Sequence, residues 1–176
     1  LPEKFLKRLQ QVDYQLTLAG DPMKNVVIEK AQEEDRRDIF WLLKAANMHT
    51  IPSPEMPELT YENYFTAKID GKVVGFCGYK ILSSTEAKTE LMVVDPVCRG
   101  LGIGFMLQCH RMQDMISKGI KLLTTNTDIP ATIQWYKKNF GYEEVGRLKK
   151  FHEFGDPKID TWTTLQVDLS NWLRTQ

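Results

Sequence analysis

The stretch Val94-Asp95-Pro96-Val97-Cys98-Arg99-Gly100-Leu101-Gly102-Ile103-Gly104 restricts this chain most, because an apolar strand ends there, turns through glycines and opens a helix. A run of backbone N–H groups feeding a helix N-terminus is a ready cradle for an anion. Those donors lack intrahelical partners, and the helix dipole is positive at that end. Two familiar phosphate loops are excluded by spacing. The pattern G-x-G-x-x-G fails because Phe105 occupies its last position, and no Gly-Lys-Ser/Thr follows as a P-loop requires.

Bulk properties exclude several classes of function. The 176 residues suit about one domain. Lys plus Arg and Asp plus Glu are equal at 23 each, so no global basic field recruits nucleic acid. Cys77, Cys98 and Cys109 are odd in number and none sits at C-x-x-C spacing, which predicts free thiols in a reducing, cytoplasmic setting. No apolar run is long enough to span a bilayer, and no His/Cys/Asp cluster has metal-ligand spacing, so neither a membrane nor a metal is expected.

Periodicity supplies the elements. Pro2 to Leu18 reads as a helix with Phe5, Leu9, Val12 and Leu16 on one face, stopped by Gly20-Asp21-Pro22, so residues 1–22 are an N-terminal extension and 23–176 the main domain. Val26 to Ile28 is a strand and Glu33 to Asn47 a helix with Ile39, Leu42, Leu43 and Ala46 inward. Asp70-Gly71 joins strands Tyr64–Ile69 and Lys72–Ile81 in a hairpin. Thr89 to Val94 is a strand, Ile103 to Lys118 a helix, Leu122 to Thr125 a strand and Pro130 to Phe140 a helix. Strands Tyr142–Lys150 and Thr161–Leu169 follow. The order is that of an α/β domain with helices interposed on a mixed sheet.

Val94, Pro96, Arg99, Gly102 and Gly104 fill every fixed position of V-x-P-x-x-[Q/R]-x-x-G-x-[G/A], and in this the chain resembles the GNAT superfamily of CoA-dependent N-acetyltransferases. Ala131 to Tyr142 is similar to that family's A-x-I-x-x-Y-x-K-x-G-F helix and turn, with one extra residue before Gly141, and Lys68 to Phe76 to its second hairpin. The resemblance covers roughly residues 26 to 168. It implies a mostly antiparallel mixed sheet flanked by helices, the N-terminal helix being an addition. It further implies acetyl-CoA as co-substrate, a primary amine as acceptor and direct attack in a ternary complex. Dimers are common in the family, so a homodimer is compatible with it.

Site residues follow from the resemblance. The amides of Arg99, Gly100, Leu101, Gly102, Ile103 and Gly104 would hold the pyrophosphate, with the Arg99 side chain either joining them or lying on the surface. Met92, Val93 and Val94 would pair their backbone with the pantetheine arm on a strand splayed from Leu122–Asn126, one N–H serving as oxyanion donor. Tyr136 would protonate the departing sulfur. Glu90, expected in register with Met92 and Val94, is either the base or a salt-bridged strand residue. His49, in the proline-rich loop, is a further candidate to take a proton near neutral pH and His152 to border the acceptor from the other side, whereas His110 reads as structural. Ile129 replaces the family's usual asparagine, leaving Asn126 or Asp128 for a shifted polar contact. Glu55 and Glu58 would suit a cationic acceptor and Lys149 and Lys150 a phosphorylated one. Two other readings share the sequence: a non-catalytic acyl-CoA-binding or regulatory module, which would keep the cradle without needing Tyr136, and an interaction domain with no cofactor.

Overall fold

The computed structural model describes residues 26–48 and 59–175; the expected helix Pro2–Leu18 and the residues His49, Glu55 and Glu58 lie outside them. Seven strands, β1 Val26–Lys30, β2 Tyr64–Ile69, β3 Lys72–Ile81, β4 Glu86–Val94, β5 Leu122–Thr127, β6 Glu143–Lys149 and β7 Thr161–Asp168, form one sheet in the order β1-β2-β3-β4-β5-β7-β6. Every neighbouring pair is antiparallel except β4 with β5. Among the described residues four α-helices accompany them: α1 Arg36–Ala45, α2 Ile103–Ser117, α3 Pro130–Phe140 and α4 Leu169–Thr175.

The hairpin β2–β3 closes through Asp70 at φ 48° and Gly71 at φ 78°, the left-handed pair that an Asp-Gly dipeptide tolerates. α1 starts later than its acidic first turn suggests. Glu33–Asp35 forms a 3₁₀ turn in which Asp35 accepts from the Gln32 N–H at 2.9 Å, and the α-helix runs from Arg36. α3 has proline in its first turn and ends at Gly141, whose φ of 71° accepts the turn that a side chain would strain.

Among the described residues a large core lies on each face of the sheet. On one face Ile39, Leu42 and Leu43 of α1 pack on Tyr64, Val73, Phe76 and Val93. On the other, Leu107, Met112 and Met115 of α2 and Tyr136 and Phe140 of α3 pack on Phe65, Cys77, Ala87, Leu123 and Leu165. Burying such side chains stabilises by about 1.5–3 kcal/mol each.

β4 departs from simple alternation. The register to β3 steps from Cys77↔Met92 to Gly78↔Glu90, so Leu91 is an inserted residue, and it holds φ at 49°. The bulge overturns the expected alignment of Glu90 with Met92 and Val94. Met92 and Val94 pack with the α2–α3 core, while Glu90 accepts a 2.7 Å hydrogen bond from Tyr64, a member of the α1-side core. Burial, then the neighbouring Glu90, pushes the Tyr64 phenol upward, so it remains a donor. Gly78 makes room for that ring, because a Cβ there would lie 2.5 Å from Tyr64 Cε1. Gly78→Ala is therefore expected to cost about 1–3 kcal/mol, measured as a lowered urea midpoint.

Candidate active site

β4 and β5 pair only from Glu86↔Leu122 to Lys88↔Thr124, and then they part, although β4 runs on to Val94 and β5 to Thr127. At the fork the hydroxyls of Thr89 and Thr125 hydrogen-bond across the gap. Beyond it opens a cavity of about 940 Å³. Its lining comes from both faces of the sheet: Cys98, Phe105 and Trp135, which pack with the α2–α3 core, and Met48 and Leu91, which pack with the α1 side.

At one end stands the glycine turn. Asp95, buried, accepts from the Val97 N–H at 3.1 Å and so sets the 3₁₀ turn Pro96–Cys98. Gly100 at φ 79° and Gly102 at φ 85° reverse the chain, Gly102 being the N-cap of α2. Arg99, Gly100, Gly102, Ile103 and Gly104 line the cavity. Leu101 belongs to the same turn, but its side chain packs on the core. The Arg99 side chain is exposed and folds back, its Nε 3.4 Å from the Val94 carbonyl. Gly104 needs little room, since a Cβ would meet Val94 Cγ2 at 3.7 Å. Amides opening a helix behind such a turn are suited to phosphate oxygens.

Met92, Val93 and Val94 line the cavity along β4, and Asn126 along β5, where Asn126 Oδ1 accepts from Thr164 at 2.8 Å. Glu90 does not line it. Tyr136 does, almost wholly buried, and its hydroxyl accepts from Arg111 Nη2 at 3.0 Å. Among the described residues that hydroxyl donates to nothing.

At the other end a strap between β6 and β7 forms the wall. Lys150 is buried and does not face solvent to attract an acceptor. Its Nζ lies 2.8 Å from Asp128 and donates to the carbonyls of Phe154 and Asp156 at 2.7 and 3.1 Å, above the ring of Trp162. Asp128 also accepts from the Asp156 N–H at 2.8 Å, so its carboxylate is committed to the strap. Asn47, after α1, donates to the carbonyls of Glu153 and Gly155 at 2.8 and 3.1 Å. Lys149 and His152 are exposed, the His152 ring tilted on Phe154. His110 is half-buried against the edge of Phe65, and burial lowers its pKa. Among the described residues no group of three His, Cys, Asp or Glu could hold a metal, and no helix is long and apolar enough to cross a membrane.

Arg111, the Leu91 bulge and the strap went unforeseen. A lone arginine inside an amphipathic pattern reads as solvated, and Lys149-Lys150 reads as surface charge. The one available signal for Arg111 was its position among Leu107, Met112 and Met115 on the inward stripe of α2.

Residues 26–142 match the model of the acetyltransferase (GNAT) family, and the chain belongs to that family. Among solved structures it is similar to Ard1 from Thermoplasma volcanium, 18% identical over 81% of this chain and 97% of that one, with a TM-score of 0.65. It is similar also to the ribosomal-protein-S18-alanine N-acetyltransferase from Escherichia coli, 17% identical over 82% and 94%, TM-score 0.65. A third is yncA from Salmonella typhimurium, solved with its cofactor acetyl-CoA, 16% identical over 82% and 94%, TM-score 0.63. At these identities the likeness is one of fold. Among curated protein sequences none matches the chain.

The strap makes a stability prediction. Lys150→Ala leaves the Asp128 carboxylate buried without its cation, and is expected to cost about 3–5 kcal/mol, read as a fall in the denaturant midpoint.

Proposed function

We propose that the chain is an N-acetyltransferase that moves the acetyl group of acetyl-CoA to a primary amine by direct attack within a ternary complex. The observation that carries this reading is the parting of β4 from β5 beside the glycine turn, with Tyr136 in the same cavity. Strand edges that stop pairing offer backbone donors and acceptors to an amide-bearing pantetheine arm, and the turn offers amides to its phosphates. The fit is supported by the cavity's reach across the sheet, which leaves room for phosphates beside Gly102, a thioester beside Met92–Val94 and an amine beside the strap.

Each residue then has a task. The amides from Arg99 to Gly104, Leu101 included, bind the pyrophosphate. Met92, Val93 and Val94 align the pantetheine by their backbone, and an N–H of this stretch polarises the thioester carbonyl as the tetrahedral oxyanion forms. Asn126 extends the β5 side of the groove. Tyr136 gives its proton to the sulfur. A phenol near pKa 10 can protonate a thiolate whose conjugate acid is near 8.5 only when held in place, which makes positioning the decisive contribution. Glu90, on the α1 side of β4, reaches the amine only through Tyr64 or a water. Glu90→Gln is accordingly a test of the base that leaves the donor site intact.

Calorimetric titration should give micromolar binding of acetyl-CoA, and no binding would remove the donor site. Tyr136→Phe is expected to lower kcat by about 10²–10⁴ while changing acetyl-CoA affinity little. Unchanged turnover would remove Tyr136 from the chemistry.

A further inference from the structure

Arg111 is poorly explained by packing alone. It lies in the middle of α2 and is wholly buried, and among the described residues no carboxylate pairs with it. A buried charge without a partner costs several kcal/mol, and apolar residues of similar volume often replace such groups without loss. Burial presses its pKa down, but a guanidinium keeps its charge inside a protein, so Arg111 stays a cation.

All of its donors are aimed. Nε donates to Gln108 Oε1 at 2.7 Å, and Nη2 to the same oxygen and to Tyr136 Oη. Nη1 donates to the carbonyls of Gly78 at 2.9 Å and of Leu91 at 3.1 Å, the second being the bulge residue with positive φ. Gln108 is itself held, donating to Tyr142 Oη at 3.1 Å, while the Tyr142 ring meets Tyr136 at 5.0 Å between centroids. One planar fork thus ties the distorted strand to the phenol at a fixed spacing. Because Tyr136 Oη accepts from Nη2, its own hydrogen must point elsewhere, and Tyr136 and Arg111 both line the cavity.

We propose that Arg111 is the positioning residue of the leaving-group step: it aims the Tyr136 hydroxyl at the sulfur and supplies the positive charge that matches the anion passing between them. This rests on the reading of Tyr136 as the proton donor. When the carbon–sulfur bond breaks, the sulfur keeps the electron pair and takes the Tyr136 proton, leaving free CoA thiol. The phenolate left behind faces the guanidinium and is reprotonated by the proton that the attacking nitrogen must lose. The cation's counter-charge therefore comes with the reaction. The same pairing favours the thiolate of bound CoA, which shares the phenol's proton beside a positive charge.

That consequence can be read without an amine. Free CoA carries a thiol with an ordinary pKa near 8.5, whereas acetyl-CoA has none. The titratable groups facing Arg111 are Cys77 on β3, Tyr136 on α3, Tyr142 after it, and Tyr64 on β2 with Glu90 behind it. Burial pushes Cys77 up to about 11 and raises Tyr64 and Tyr142 further, while His110, the neighbour on α2, is held low. All four shifts run away from the range of the CoA thiol, about pH 7 to 9.5.

Dissociation constants for both ligands should be measured calorimetrically across that window. In the wild type CoA should gain about fivefold more affinity than acetyl-CoA as pH rises, because a thiol pKa lowered on binding makes affinity increase through the interval. Arg111→Met should shrink the difference below about twofold while binding acetyl-CoA nearly as before, and Tyr136→Phe should do the same. A merely structural arginine would move both ligands together. If Arg111→Met does not fold, Arg111→Lys, which loses the fork, should lose at least half of the difference. Parallel behaviour of the two ligands in the wild type, or a difference that survives in the arginine variants, overturns the proposal. Absence of binding by both ligands would overturn the donor site itself.

Discussion

The structure depends on one short parallel register, Glu86–Lys88 against Leu122–Thr124, in a sheet that is otherwise antiparallel. A parallel neighbour demands a crossover, which here carries the glycine turn and α2, and it places the C-terminal ends of both strands on the same side. Once the strands diverge after Thr89 and Thr125, those ends become walls of one space. The cavity is thus a product of topology, with the side chains refining it.

Much of this was legible because the deciding residues act locally. Asp70-Gly71 and Gly102 announce left-handed backbone, Pro130 a helix start and Gly141 a helix end. The strand–turn–helix that lines the cavity falls where Val94 to Gly104 place it. What stayed hidden is set by contacts between distant parts of the chain. The Leu91 insertion turns Glu90 away from the face of Met92, yet an inserted residue leaves no mark on an apolar stretch such as Leu91-Met92-Val93-Val94. Arg111 and Lys150 were illegible for a related reason. A charged residue is buried only by partners brought in from elsewhere, Gly78, Leu91 and Tyr136 for one, Asp128, Phe154 and Asp156 for the other.

The two buried cations contrast in kind. Lys150 has a carboxylate, carbonyls and an aromatic face around it, a set that is complete with no ligand. Arg111 has carbonyls, an amide oxygen and a phenol, all neutral. The first arrangement fastens a wall. The second leaves one charge unanswered beside the space where thioester chemistry would take place.

The hydrogen bonds from Asn47 to the strap join residues 106 and 108 positions apart. Contacts of that span reward the chain only after the entropy of closing a very long loop has been spent, and so they form late relative to the β2–β3 hairpin. As the protein folds, the glycine-turn end of the cavity has its local turns and neighbouring strands early. The strap end closes last, once residues 153–155 find Asn47 behind α1.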